Sequence, residues 1–197
     1  MSFNVLVIPE DFRNDQYILK PLVQAMLAQL GKPRAKVSVL TDPLLGGVDV
    51  ALNLAQLESI VDRYRNSVNL FLLVIDRDGN AGRRQRLDAI EAHFRSQAAA
   101  DDFIFFAENA WQELEVLALA GMTDLPERWL WREVRAHRDP KEAYFRPYAA
   151  TRQLTTEPGE GRKTIGAEAA RRYDRVRNLC QEDVLALEQK ILAHYNA

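Results

Sequence analysis

Acidic residues gather at three places in the chain where a strand would end. Glu10 and Asp11 follow the apolar run Val5-Leu6-Val7-Ile8, and Asp76 and Asp78 follow the unbroken run Leu70-Phe71-Leu72-Leu73-Val74-Ile75. Glu108, Glu113 and Glu115 come after a fourth strand-like segment. Hard oxygen ligands converging on one spot repel one another unless a cation sits among them. Mg²⁺ takes one or two protein carboxylates and keeps its waters for a phosphate. The residue types therefore point to a divalent-metal site.

Two spacings sharpen this reading. Asp76 and Asp78 stand two residues apart, so in extended backbone they project the same way and reach one ion. Asp-Arg-Asp-Gly is equally a turn-forming sequence. The stretch Ala110-Trp111-Gln112-Glu113-Leu114-Glu115-Val116-Leu117-Ala118-Leu119-Ala120 reads as a helix over 110–120 with apolar side chains nearly all round. At least one of Glu113 and Glu115 is then buried and needs a cation or a hydrogen-bond network. The plainer alternative is an amphipathic helix with two surface glutamates.

The elements that must position these residues follow from periodicity. A strand is expected over 4–8, then a helical stripe of Ile18, Leu22, Val23, Met26, Leu27 and Leu30 that stops at Gly31 with Pro33 beyond. A strand over 36–40 and a helix over 54–64 follow. The run 70–75 has no polar face, the pattern of a central strand covered on both sides. A helix over 83–97, a strand over 102–106 and the helix over 110–120 complete the alternation. Strand–helix–strand repeats of this kind build a mainly parallel sheet, here of four strands flanked by helices, with ligands at the carboxyl ends of the strands.

The chain has 197 residues, 47% of them hydrophobic, and a formal net charge of −2, which excludes a disordered tail and gives no overall basic surplus. The charge is uneven. Residues 1–120 carry 12 Lys and Arg against 16 Asp and Glu, whereas 128–177 carry 13 against 7. We read an acidic α/β body over 1–121 and a helical, locally basic extension over 122–197 packed on it, with a polar Gly/Pro-punctuated loop at 155–161. The single cysteine, Cys180, rules out an internal disulfide and a cysteine-based zinc cluster. No apolar stretch spans a bilayer and no leader pattern opens the chain. The expectation is a soluble cytoplasmic protein without a membrane partner.

Taken together, Val5-Leu6-Val7-Ile8-Pro9-Glu10, Asp76-Arg77-Asp78-Gly79 and the 110–120 stretch resemble the Toprim fold. More narrowly, they resemble the small stand-alone Toprim-like proteins related to the overcoming-lysogenization-defect nucleases, which occur in phage-defence loci. That family's acidic site is a strand-end Glu, an Asp-x-Asp pair and a Glu-x-Glu helix, matched here by Glu10, Asp76, Asp78, Glu113 and Glu115. Asp139-Pro140-Lys141-Glu142, Lys163 and the helix from Arg172 to Cys180 also fall in the family's order. The first motif departs from the pattern: Asp11 directly follows Glu10 where the family has Gly, and the next Asp, Asp15, is five residues on instead of four. Leu117 stands where the family's helix has Trp.

The resemblance implies a Mg²⁺- or Mn²⁺-dependent phosphodiester hydrolase or a related phosphoryl-transfer protein. Glu10 would be general base or ligand, Asp76 and Asp78 would hold metal, and Glu113 or Glu115 would complete a second shell or a second metal site. Lys141, Lys163, Arg171 and Arg172 would hold a nucleic-acid backbone. A rival is a non-catalytic subunit of the same fold that docks on an ATPase partner, for which a degraded first motif would be tolerable. A second rival is a haloacid-dehalogenase-like phosphatase with Asp76 as nucleophile and Asp78 as acid/base. Against it, two strand–helix units precede the motif, Asn80 stands where Thr is usual, and Asp101-Asp102 precedes its strand instead of following it. His93 and His194 read as surface or helix-end residues, Trp129 and Trp131 as packing between body and extension, and Cys180 as a small buried hydrophobe.

Overall fold

The computed structural model describes residues 3–98 and 103–196. The expected start of the fourth strand at Asp102, and the Asp101-Asp102 pair, lie outside the described residues. The body runs β1 (Asn4–Pro9), α1 (Phe12–Gln29), β2 (Lys36–Val39), α2 (Val48–Ala51), α3 (Leu54–Tyr64), β3 (Leu70–Asp76), α4 (Arg83–Ala98), β4 (Ile104–Ala110) and α5 (Glu115–Ala120). The four strands form one all-parallel sheet in the order β2-β1-β3-β4.

The apolar run of β3 is inside the sheet, between β1 and β4, and its first six residues are all buried. Alternation sends Leu70, Leu72 and Val74 to one face, against Ile18, Leu22 and Met26 of α1. Phe71, Leu73 and Ile75 go to the other, against Leu57 and Ile60 of α3 and Leu87 and Phe94 of α4. Two cores, one per face, leave β3 no room for a polar residue until it emerges at Asp76.

Three local expectations change. The fourth strand runs on to Ala110, so Glu108 lies within β4, buried, and pairs with Arg84 and Lys190 away from the strand ends. The helix begins only at Glu115. Gln112 takes a left-handed backbone (φ 75°), its carbonyl accepting the Arg77 and Asp78 amides at 2.8 and 3.1 Å and its side chain accepting the Gly79 amide at 2.9 Å. Those bonds tie the loops after β3 and β4 together, and a helix through 110–114 would break all of them. Third, Asp78 also has positive φ (52°). The backbone therefore turns immediately after β3, and Asp76 and Asp78 do not share an extended segment.

Beyond Gly121 the described residues contain helices and no strand: α6 (Trp131–Ala136), a π-helical turn (Lys141–Phe145) leading into α7 (Arg146–Thr151), α8 (Arg162–Arg171), α9 (Tyr173–Leu179), a second π-helical turn (Gln181–Leu185) and α10 (Ala186–Asn196). They share one apolar cluster with the body, in which Phe145, Ile165, Ala169, Tyr173 and Ile191 meet the α1 face of the sheet. Backbones come close because Gly166 of α8 lies on α1, where a Cβ would fall 2.4 Å from the Tyr17 carbonyl oxygen. A buried ion pair, Arg135 to Asp183 at 2.9 Å, also accepts the Trp111 amide on Asp183 and so fastens the extension to the end of β4. Trp131 donates to the Leu179 carbonyl at 3.2 Å, Trp129 stacks edge-on to Tyr144, and Cys180 is fully buried. No helix among the described residues is long and apolar enough to cross a membrane.

Candidate metal centre

At the carboxyl ends of β1 and β3 a cavity of about 170 Å³ is lined by Glu10, Asp11, Asn14, Asp15, Asp76, Glu113, Glu115, Lys141 and Arg162. Six of these are acids and two are bases. Each acid is placed by a different local device. Glu10 follows the buried strand β1. Asp11 caps α1, its carboxylate accepting the Arg13 amide, while its own amide donates to Asp15 Oδ2 at 3.0 Å. This reciprocal cap turns Asp15, one turn into α1, toward the cavity.

Asp76, the last residue of β3, accepts the Leu114 amide on Oδ1 at 2.8 Å. Glu113, in the turn before α5, accepts the Lys141 amide on Oε2 at 2.8 Å. Glu115, in the first turn of α5, is buried and holds the guanidinium of Arg162 through Nε at 2.9 Å and through Nη2. Glu10 Oε2 is buried with no hydrogen-bond partner.

Crowding of like charges out of water shows in the proton affinities. Burial pushes the Asp76 carboxyl well above the usual carboxylate range, and the charges of Glu115, Asp15 and Asp78 add to it against the pull of the Leu114 amide. Asp15 rises to about 7, chiefly by burial, with the Asp11 amide opposing and Glu115 adding. Glu113 also rises to about 7 by burial, opposed by the Lys141 amide. Glu10 is raised by burial and then by Asp78, and lowered by Arg83 and the Val48 amide.

Of the five acids assigned to metal from sequence, Glu10, Asp76, Glu113 and Glu115 line this cavity. Asp78 does not. It stands outside, half exposed, in an ion pair with Arg83 at 3.3 Å, although its charge is felt by Glu10, Asp76 and Glu113. Among the basic residues expected on a phosphate backbone, only Lys141 reaches the cavity. Lys163 and Arg171 are exposed on α8, and Arg172 donates to the Gly121 carbonyl at 3.3 Å.

Asp15, Arg162 and Gln112 were not assigned to the site from sequence. Asp15 carried a usable signal, a carboxylate one helical turn after a strand-end acid; a left-handed Gln and a buried Arg from a distant helix carry none.

The acids surround one cavity and are not drawn onto one point. No group of three or more His, Cys, Asp or Glu side chains among the described residues is arranged to hold an ion as it stands. Their chemistry nevertheless fits a divalent cation: hard oxygens, more acids than bases, raised proton affinities and an orphaned oxygen on Glu10. Comparison with protein-family models, with curated proteins and with solved structures gave no significant match.

Proposed function

We propose that the chain is a divalent-metal-dependent phosphodiester hydrolase or a related phosphoryl-transfer protein of Toprim-like type, acting on nucleic acid with Mg²⁺ or Mn²⁺. The observation that carries this reading is the convergence of Glu10, Asp15, Asp76 and Glu113 on one cavity at the carboxyl end of a parallel sheet, each desolvated and none in an ion pair among the described residues. A carboxylate in that condition either takes a proton or holds a cation.

Glu10, Asp76 and the free oxygens of Asp15 and Glu113 would hold the ion, which when bound polarises a phosphoryl oxygen and acidifies water. Glu10 Oε2, without a partner of its own, would be either a ligand or the acceptor for a proton from water at the site. Lys141, at the cavity wall, supplies a positive charge for a phosphate oxygen.

A second reading, a non-catalytic subunit that docks on an ATPase partner, draws support from the arginines already seated on Asp78 and Glu115. Melting of the purified chain with and without Mg²⁺ or Mn²⁺, alongside a cleavage assay on DNA and RNA, separates the two. The hydrolase reading expects an upward shift with metal, metal-dependent cleavage, and loss of both in Asp76→Asn. A metal shift without cleavage of any nucleic acid favours the docking subunit; cleavage untouched by Asp76→Asn places the active site elsewhere.

A further inference from the structure

We propose, resting on the metal-dependent reading above, that this centre takes a single divalent ion and that buried guanidinium groups stand where a second ion would otherwise be needed, Arg162 holding Glu115 out of the ligand set. The acids divide into two kinds. Glu10, Asp15, Asp76 and Glu113 have no ion-pair partner among the described residues, and the last three each spend one oxygen on a neutral backbone amide. Glu115 and Asp78 each carry an arginine instead. Those are the two further acids a second ion would recruit, since Glu115 lines the same cavity and the Asp78 charge acts on Glu10, Asp76 and Glu113.

Arg162 is not a loose neighbour that an incoming ion would displace. It is 2% exposed. Its Nε and Nη2 both donate to Glu115 Oε1, its Nη1 donates to the Gly159 carbonyl at 2.8 Å, and its guanidinium carbon lies 5.3 Å from the centre of the Phe145 ring. A guanidinium does not shed its proton at any ordinary pH, so it cannot turn neutral and release the carboxylate. Rotating it away would leave a buried charge with no partner, the costly outcome for any buried ion pair.

The helix that carries it is equally fixed, because Gly166 brings α8 into backbone contact with α1. Arg83 is likewise nine-tenths buried as it pairs with Asp78. Its charge also acts on Glu10, so both acids that could extend the ligand set already hold a built-in cation.

Counting Mn²⁺ bound by the full-length chain, by native mass spectrometry and by titration calorimetry with Mn²⁺ alone, tests this. The wild type should bind one ion per chain, and Asp76→Asn should weaken it at least tenfold. Glu115→Gln, and the double variant Glu115→Gln/Arg162→Met in which neither charge is left buried alone, should keep one ion with affinity changed less than threefold. Arg162→Met, which frees Glu115, should gain a second. Circular dichroism identifies any variant that does not fold, and the double variant decides the matter if Arg162→Met is one of them. Two ions on the wild type, or loss of the ion from a folded Glu115→Gln/Arg162→Met, would overturn the proposal and leave the hydrolase reading standing. A wild type that binds no Mn²⁺ overturns both.

Discussion

Asp15→Asn should make the protein more stable in the absence of metal, and by an amount that depends on pH in a defined direction. Asp15 titrates near 7 in the folded chain against an ordinary value of 3.8. A carboxyl whose folded value is raised binds its proton more tightly when folded, so the unfolded state holds fewer protons between those two values and stability falls as pH rises through them. Three pH units at about 1.4 kcal/mol each set a ceiling of about 4 kcal/mol. Water reaching the open side of the cavity halves this to about 2 kcal/mol.

Asparagine keeps the shape and the acceptor for the Asp11 amide but has no charge to bury. In EDTA the variant should match the wild type at pH 4, gain about 2 kcal/mol by pH 7, and gain nothing further above that. The acids whose charges act with that of Asp15 are Glu10, Asp11, Glu115 and Asp76, all common to both proteins, so the difference reports the Asp15 charge together with its repulsion of these four. Urea denaturation at pH 4.5, 6 and 8 measures it. With saturating Mg²⁺ the order should reverse, because an ion present at a hundred times its dissociation constant adds about 2.7 kcal/mol to whichever chain binds it. A variant less stable than wild type at pH 8 in EDTA would refute the reasoning, since the carboxylate would then be satisfied as it stands.

Other perturbations read different parts of the structure. Gly166→Ala puts a Cβ 2.4 Å from the Tyr17 carbonyl oxygen and should cost about 1–3 kcal/mol in urea denaturation as α8 is forced off α1. Arg135→Met strands the Asp183 carboxylate, 3% exposed, and should cost about 3–5 kcal/mol, most of which Arg135→Met/Asp183→Asn should recover. Glu168 is held below its ordinary range by Arg152, so its contribution is present above that range and is lost as pH falls. Glu168→Gln should accordingly flatten the acid side of the stability profile and leave the neutral side unsteepened.

The sheet was legible because its signals are local. Six consecutive apolar residues followed by Asp76 cannot sit at a solvated edge, and the stripe in α1 sets its buried face, although the helix starts six residues before the stripe, at Phe12 behind the Asp11 cap. What was lost at 110–114 has a physical cause: the residues there have ordinary helical propensity, but the amides of Arg77, Asp78 and Gly79 need acceptors, and Gln112 supplies them from a left-handed conformation. Long-range satisfaction of backbone donors overrode a short-range preference. The same turn moved Asp78 out of the cavity. Asp15 entered it because a helix that starts right after Glu10 brings its own first turn over the strand ends, which a comparison of motif spacings does not weigh.

The basic extension shows how a charge surplus can mislead about location. Thirteen Lys and Arg over 128–177 suggest a solvated or phosphate-binding face, yet Arg135, Arg146, Arg152, Arg162 and Arg177 are spent on carboxylates within the fold. Arg162 reaches Glu115 across 47 positions of sequence, a pairing that neither residue announces. The extension's role at the centre is therefore to neutralise and fix one of its acids, leaving the acids on the body side unneutralised. An acidic cavity proposed to hold a cation needs a wall that carries fixed positive charge without competing for that cation. A buried guanidinium meets that need, since it is permanently charged, has no lone pair to offer a cation and is immobile once each of its arms has an acceptor.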